Sequence, residues 1–313
     1  MGIVSFLTVA TAARLHTPCT FQSLQPPQAR YRVAVVDHFY PGDEVFKTQE
    51  ERTTQRWLYG IGDLDRDWIR EPYYHGDMVS LIAAHPLVSL IPYPVRNYAP
   101  PKHELLAALQ RIKRQVFLGE RIDAVLMSWE SSTLVSAFEK PLRLERAEAY
   151  KAQIRKWGES EETWLLTYEI IRTLEALVDS GVSVYTIAGN GGPGMVNTYS
   201  FANGVITVGA VESELRRFVA DNVFVDIHDH AAYLIRLISH APGKPIGYDV
   251  NNDQCPDIPI RCISGYSPTR SEYPSQSFWS IRGSSFAAPM ALRRQFSTEH
   301  LPCPLIEGVQ SRQ

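Results

Sequence analysis

The stretch Tyr185–Gly194, YTIAGNGGPG, decides how this chain folds. Its glycines match G-x-G-x-x-G at the end of an apolar run, the pattern of a loop that cradles the phosphates of a dinucleotide. The same letters suit a hydrolase in which Asn190 stands beside a reaction centre. The residues after the loop separate the two readings. A dinucleotide fold needs a crossover helix of about a dozen residues before the next strand. Here MVNTYSFAN leaves only about ten residues before VITVGAV (Val205–Val211), with no helical apolar period. The nucleotide-binding α/β protein therefore stays as an alternative and not as the leading reading.

Outward from that loop, apolar strands alternate with amphipathic helices. Arg32–Val36, Asp123–Ser128, Val182–Ala188 and Val205–Val211 read as buried strands. Val88–Val95 is strand-like, and its prolines suit a strand end or a sheet edge. Met78–Ala84 is helical and stops before Pro86. Leu105, Leu109, Ile112 and Val116 recur at helical spacing, as do Trp164, Tyr168, Ile171, Leu174 and Val178, with Gly181 as a stop. The alternation predicts an α/β fold in three layers, a mostly parallel central sheet with helices on both faces. Two stretches interrupt it. Glu139–Glu162 is charged and reads as a solvated helix; Glu212–Trp279 reads as long and irregular, with an apolar helical piece at Ala231–Ile238.

Composition removes several function classes. Lys and Arg number 31 against 34 Asp and Glu, so no electrostatic footprint for nucleic acid and no polybasic membrane patch exists. No apolar run approaches the roughly 20 residues of a membrane span. Ile3–Ala13 is apolar, and Ala10-Thr11-Ala12 has the form of a signal cleavage site, but no basic residue precedes it. Residues 17–30 are Pro/Gln-rich and read as an extended arm. Residues 1–30 are thus an N-terminal extension, as a signal segment or a short pro-arm, and a secreted or periplasmic location is expected, with a cytoplasmic one as the alternative. Of the four cysteines, Cys19, Cys255, Cys262 and Cys303, the pair at 255 and 262 flanks a short loop that a disulfide would close in an oxidising compartment.

Three loops carry chemistry. Asp37 ends the strand RVAVV. His75, followed by Gly76, opens the helix HGDMVSLIAA, where the dipole at a helix start favours a neutral imidazole, suited to a general base. Ser285 opens the helix of IRGSSFAAPMAL, after Gly283 and before a Pro289 that costs an ordinary helix about 3 kcal/mol. Taken singly, each has a structural explanation such as a cap or a turn. Together they supply a carboxylate, an imidazole and a hydroxyl in the order Asp, His, Ser.

On these residues the chain resembles the subtilisin-like serine proteases, or subtilases. VAVVDHF is similar to the strand that ends in the family's Asp, HGDMVSLIAA to its H-G-T-x-V-A helix start, and GSSFAAPMA to its G-T-S-x-A-x-P serine motif. YTIAGNGGPG resembles its A-A-G-N-x-G loop, DAVLMSW the strand before its S-x-G substrate segment, and VITVGAVE the strand after its oxyanion loop. The resemblance spans about residues 31–295 and implies a catalytic domain over 31–313 with insertions near 139–162 and 212–279. It implies a serine endopeptidase with protein or peptide substrates. Asp37, His75 and Ser285 are its candidate triad, Asn190 its oxyanion donor, and Ser128, Trp129 and Glu130 its substrate-binding segment. It implies no required cofactor.

The chain departs from the family pattern in places. His38 and Phe39 follow the Asp where Thr or Ser and then Gly are usual, and Ser284 replaces a Thr. Glu130 replaces the Gly of S-x-G, which predicts a narrowed pocket, or a carboxylate that meets a Lys or Arg side chain. The alternative is a solvated Glu130. These departures keep open a subtilase-fold protein that binds peptide with little turnover. Asp249, Asn251, Asp253 and Asp257 fall at positions 1, 3, 5 and 9 of a calcium-type loop, though Gln254 and Ile260 replace its Gly and its bidentate Glu. In DIHDH, His228 and His230 have an H-x-H spacing for zinc without a third ligand.

Overall fold

The computed structural model describes residues 29–96, 101–241, 244–263 and 278–296. The expectations for Ile3–Ala13, for most of the 1–30 arm, and for Cys19 and Cys303 lie outside the described residues. In chain order the elements are β1 (Tyr31–Asp37), α1 (Gln49–Tyr59), α2 (His75–Ala83), β2 (Val88–Pro94), α3 (Pro101–Phe117), β3 (Ala124–Met127), β4 (Ser132–Leu134), α4 (Ala147–Trp157), α5 (Glu162–Asp179), β5 (Ser183–Ile187), β6 (Met195–Asn197), β7 (Ile206–Ala210), β8 (Ile227–Asp229), β9 (Ala232–Ala241), β10 (Lys244–Asp249), β11 (Ile258–Pro259), β12 (Phe278–Arg282) and α6 (Ser284–Phe296).

The main sheet has six strands in the order β2-β1-β3-β5-β7-β8, and every neighbouring pair is parallel. Its side chains explain the three layers. Along a strand successive residues face opposite sides. Val33 and Val35 join Leu126, Tyr185 and Ile187 in one core with α2 and α6, whereas Ala34 and Val36 join Val125, Met127 and Val184 in another with α3, α4 and α5. Both faces are covered, so the strands read as continuous apolar runs. Each buried Val, Leu or Ile contributes roughly 1.5–3 kcal/mol. Of the two places its prolines suit, a strand end or a sheet edge, β2 takes the edge.

The chain order reverses beside β1: α2 leads to β2 on one side, and α3 returns to β3 on the other. In such sheets the carboxyl ends of the strands at the reversal bound a crevice where sites are built. Asp37 ends β1, and Ser128 follows β3. The helix α6, which carries the last motif, packs against α2 and across β5 and β7.

Two sequence expectations are corrected. Ala231–Ile238 is not helical. From Ala232 on it is β9, which with β10, β11 and β12 forms an antiparallel sheet ordered β11-β10-β9-β12. A short apolar run does not distinguish helix from strand; here Tyr233 and Ile235 are buried at alternate positions and cross-strand pairing decides. Among the described residues of 212–279, β8 to β11 and the start of β12 are therefore ordered strands within that segment. The charged stretch 139–162 is not simply solvated either. It contains α4, which buries Tyr150, Lys151 and Ile154, and the Lys151 ammonium is held between Glu148 and the buried Glu175 of α5. The dinucleotide reading loses its helix as expected: β6 and a single 3-10 turn at Thr198–Phe201 fill the interval before β7.

Candidate active site

Asp37 is 1 % exposed, and both of its carboxylate oxygens face His75 Nδ1, at 2.8 and 2.9 Å. The contact depends on two local features. His75 is the first residue of α2, and the next residue, Gly76, lies against β1, where a Cβ would come within 2.8 Å of Asp37 Cβ. The Gly76 N–H bonds the His38 carbonyl at 2.9 Å, docking the helix start onto the end of the strand. Asp77 caps the same turn: its Oδ2 accepts the Tyr40 N–H at 2.9 Å and the Tyr74 N–H at 2.7 Å. The triad motifs do not single out Asp77, although an acidic residue at the third position of a helix is a capping signal.

The electrostatics differ from the sequence expectation, in which the helix dipole keeps His75 neutral. Burial does push the imidazolium down, but the charge of Asp37 and its hydrogen bond outweigh it and hold the His75 pKa above the ordinary 6.5. A carboxylate in direct contact acts more strongly on the ring than the partial charge of one helix end. His38, the second imidazole, is lowered, chiefly by burial and also by the proximity of His75, against the pull of Asp37. Its ring packs between Tyr59 and Tyr74, at centroid distances of 4.7 and 4.8 Å, so it serves as part of an aromatic wall.

Ser285 lies in the first turn of α6 and is 7 % exposed. Its carbonyl accepts the Ser128 hydroxyl at 2.9 Å, joining the end of β3 to the helix start. The ring of the next residue, Phe286, sits 5.6 Å from the His75 ring. The turn before the helix needs Gly283, whose φ of +145° an L side chain rarely adopts.

Asn190 follows β5 and is held by its side chain. Its Oδ1 accepts the Ser284 N–H at 2.9 Å and the Ser284 hydroxyl at 3.0 Å. A backbone N–H must bond to an oxygen, so this contact fixes which end of the amide is which. Nδ2 is thereby the donor end of the amide. Ser284 Oγ also accepts the Gly189 N–H at 3.2 Å. The Ser284 hydroxyl thus bridges the Asn190 side chain and the Gly189 main chain.

Asn197, fully buried at the end of β6, joins the chain just after Glu130 to the end of β5. Its Oδ1 accepts the Ser131 N–H at 3.0 Å, and its Nδ2 donates to the Ile187 carbonyl at 2.7 Å. Asn197 carries no sequence signal, because it joins Ser131, 66 positions earlier, to the end of β5. Trp129 packs its ring on the apolar face shared with α3, α4 and α5. The Glu130 carboxylate is engaged internally, accepting from Asn190 N at 2.7 Å and Ser132 Oγ at 2.8 Å.

The two metal expectations fare differently. Oxygens of Asp249, Asp253 and Asp257 lie within 4.8 Å of one another. They already accept hydrogen bonds: Asp249 from Asn252 N and Gln254 N, Asp257 from Val250 N and Asn251 Nδ2, and Asp253 from Arg293. Asn251 Oδ1 accepts the Asp253 N–H. His228 and His230 do not converge; one meets Asp221 at 3.3 Å and the other Glu212 at 3.1 Å. Cys255 and Cys262 are both disulfide-bonded. Among the described residues, no helix is long and apolar enough to cross a membrane.

No protein-family model matches the chain, and no curated protein matches it. Several solved structures are similar in the course of the chain. The prenylagaramide maturation protease PagA shares 13% identity, with 83% of this chain and 72% of that chain covered and a TM-score of 0.43. The patellamide maturation protease PatA shares 14%, covering 84% and 75%, at 0.42. The epidermin leader peptide processing serine protease EpiP from Staphylococcus aureus shares 12%, covering 86% and 64%, at 0.45.

Proposed function

We propose that the protein is a serine endopeptidase of the subtilase type. The observation that carries this reading is the contact of the buried Asp37 carboxylate with His75 Nδ1, formed at the same crevice as the helix start that bears Ser285. With Nδ1–H donated to Asp37, Nε2 is left as the basic nitrogen. Ser285 Oγ attacks the scissile carbonyl carbon while its proton passes to His75 Nε2. Asp37 keeps the tautomer in place and stabilises the imidazolium. The tetrahedral oxyanion takes hydrogen bonds from the Ser285 N–H and Asn190 Nδ2. Collapse breaks the C–N bond, the leaving amine takes the proton from His75, and the acyl group remains on Ser285. Water then repeats the sequence through the same base and frees the acid. In this reading the main chain of Ser128, Trp129 and Glu130 borders the approach of the peptide, and the chemistry as written needs no cofactor.

A fluorophosphonate probe tests it, with the adduct located by mass spectrometry. Labelling at Ser285 is expected, and its loss in Ser285→Ala and His75→Ala. A folded wild-type protein that does not label refutes the catalytic reading and leaves a peptide-binding one.

A further inference from the structure

Glu130 has no part in the proton transfers, yet its carboxylate reaches from the segment between β3 and β4 across to the loop after β5. Oε2 accepts the Asn190 N–H at 2.7 Å and the Ser132 hydroxyl at 2.8 Å. The same oxygen lies against Gly189, where an added Cβ would sit 2.5 Å from it. Gly189 also has a φ of +102°. The glycine and the carboxylate are therefore complementary: the loop turns in a conformation only glycine adopts easily, and the missing side chain makes room for Oε2. Asn190 is consequently held at two ends, its main chain by Glu130 and its amide oxygen by Ser284. An N–H bond to an ionised carboxylate is roughly twice as strong as a neutral one.

We infer that Glu130 is a positioning residue that fixes Asn190 for oxyanion binding by clamping its backbone N–H. The inference rests on the reading of Asn190 as oxyanion donor. It assigns Glu130 a duty inside the protein, in place of the contact with a basic substrate side chain that its sequence position suggests. It also explains how a carboxylate can stand where the resembling family carries glycine: the charge is turned onto the loop.

The test compares Glu130→Ala and Glu130→Gln, using a peptide p-nitroanilide for kinetics and amide hydrogen exchange at Asn190 for structure. A misplaced donor costs up to about 100-fold, so Glu130→Ala is expected to lower kcat by about 10- to 100-fold, with KM within about 3-fold. Glu130→Gln retains an acceptor oxygen and is expected to recover kcat to within about 5-fold of wild type. Asn190 exchange should quicken in the Ala variant and stay near wild type in the Gln variant. Glu130 is solvent-exposed, so neither variant is expected to unfold. A change confined to KM, an equal loss in both variants, or an unchanged kcat overturns the inference. So does Asn190 exchange that is the same in all three proteins. Should wild type fail to label at Ser285, the hydrolase reading fails by itself, while the exchange measurement still decides whether Glu130 clamps Asn190.

Discussion

Asp77→Asn tests how the helix carrying His75 is held. Asp77 is 1 % exposed, and Oδ2 serves both the Tyr40 and Tyr74 amides. Burial pushes its carboxyl from 3.8 up to about 7, with Asp37 nearby adding to the rise and the backbone N–H donors pulling it back. The folded value exceeds the unfolded one, so the folded state holds the proton more tightly. That contribution to stability is fully present below the unfolded pKa and is lost as pH rises through about 7. At about 1.36 kcal/mol per pH unit, the window from 3.8 to about 7 is worth about 4 kcal/mol. This is an upper limit, because water entering on ionisation relaxes the site. Asparagine keeps an oxygen for both amides and removes the charge. Urea unfolding of both proteins at about pH 4 and about pH 8 should therefore show wild type losing roughly 2–4 kcal/mol more than Asp77→Asn across the interval. Asp257, whose pKa burial also raises, titrates in both proteins and cancels in the comparison. Equal pH dependence in the two proteins refutes the reasoning.

Two further outcomes are expected. The acid limb of fluorophosphonate labelling at Ser285 should lie above pH 6.5 in wild type, because Asp37 raises the His75 pKa against burial. In Asp37→Asn only burial acts on the ring, so the limb should move below that value and the maximal rate fall on the order of 10⁴-fold; a limb that does not move excludes Asp37 as its cause. For the acidic loop, the Asp249, Asp253 and Asp257 oxygens already take N–H and guanidinium donors, so millimolar calcium or a chelator should leave the melting temperature unchanged. A saturable rise with calcium would show that the cation displaces Arg293.

The sequence by itself determined the layered α/β plan. Strands buried on both faces must be apolar throughout, and helices that cover them must carry a stripe, so Val33–Val36 and Trp164–Val178 are legible one segment at a time. It also marked the three motif residues, because a carboxylate at a buried strand end, a His-Gly helix start and a serine before a proline-bearing helix are local exceptions to those patterns. What a residue touches across the chain is not legible in this way. β9 has helix-like letters because its strand state is set by pairing with β10 and β12, not by its own sequence. The raised pKa of His75 depends on a carboxylate 38 positions earlier. The parts played by Glu130 and Asn197 depend on loops about 60 residues away that the sheet brings together. Periodicity is a property of one segment and survives in the sequence. Hydrogen bonds between loops, and the electrostatics they set, exist only once the sheet has placed the ends of β1, β3 and β5 side by side.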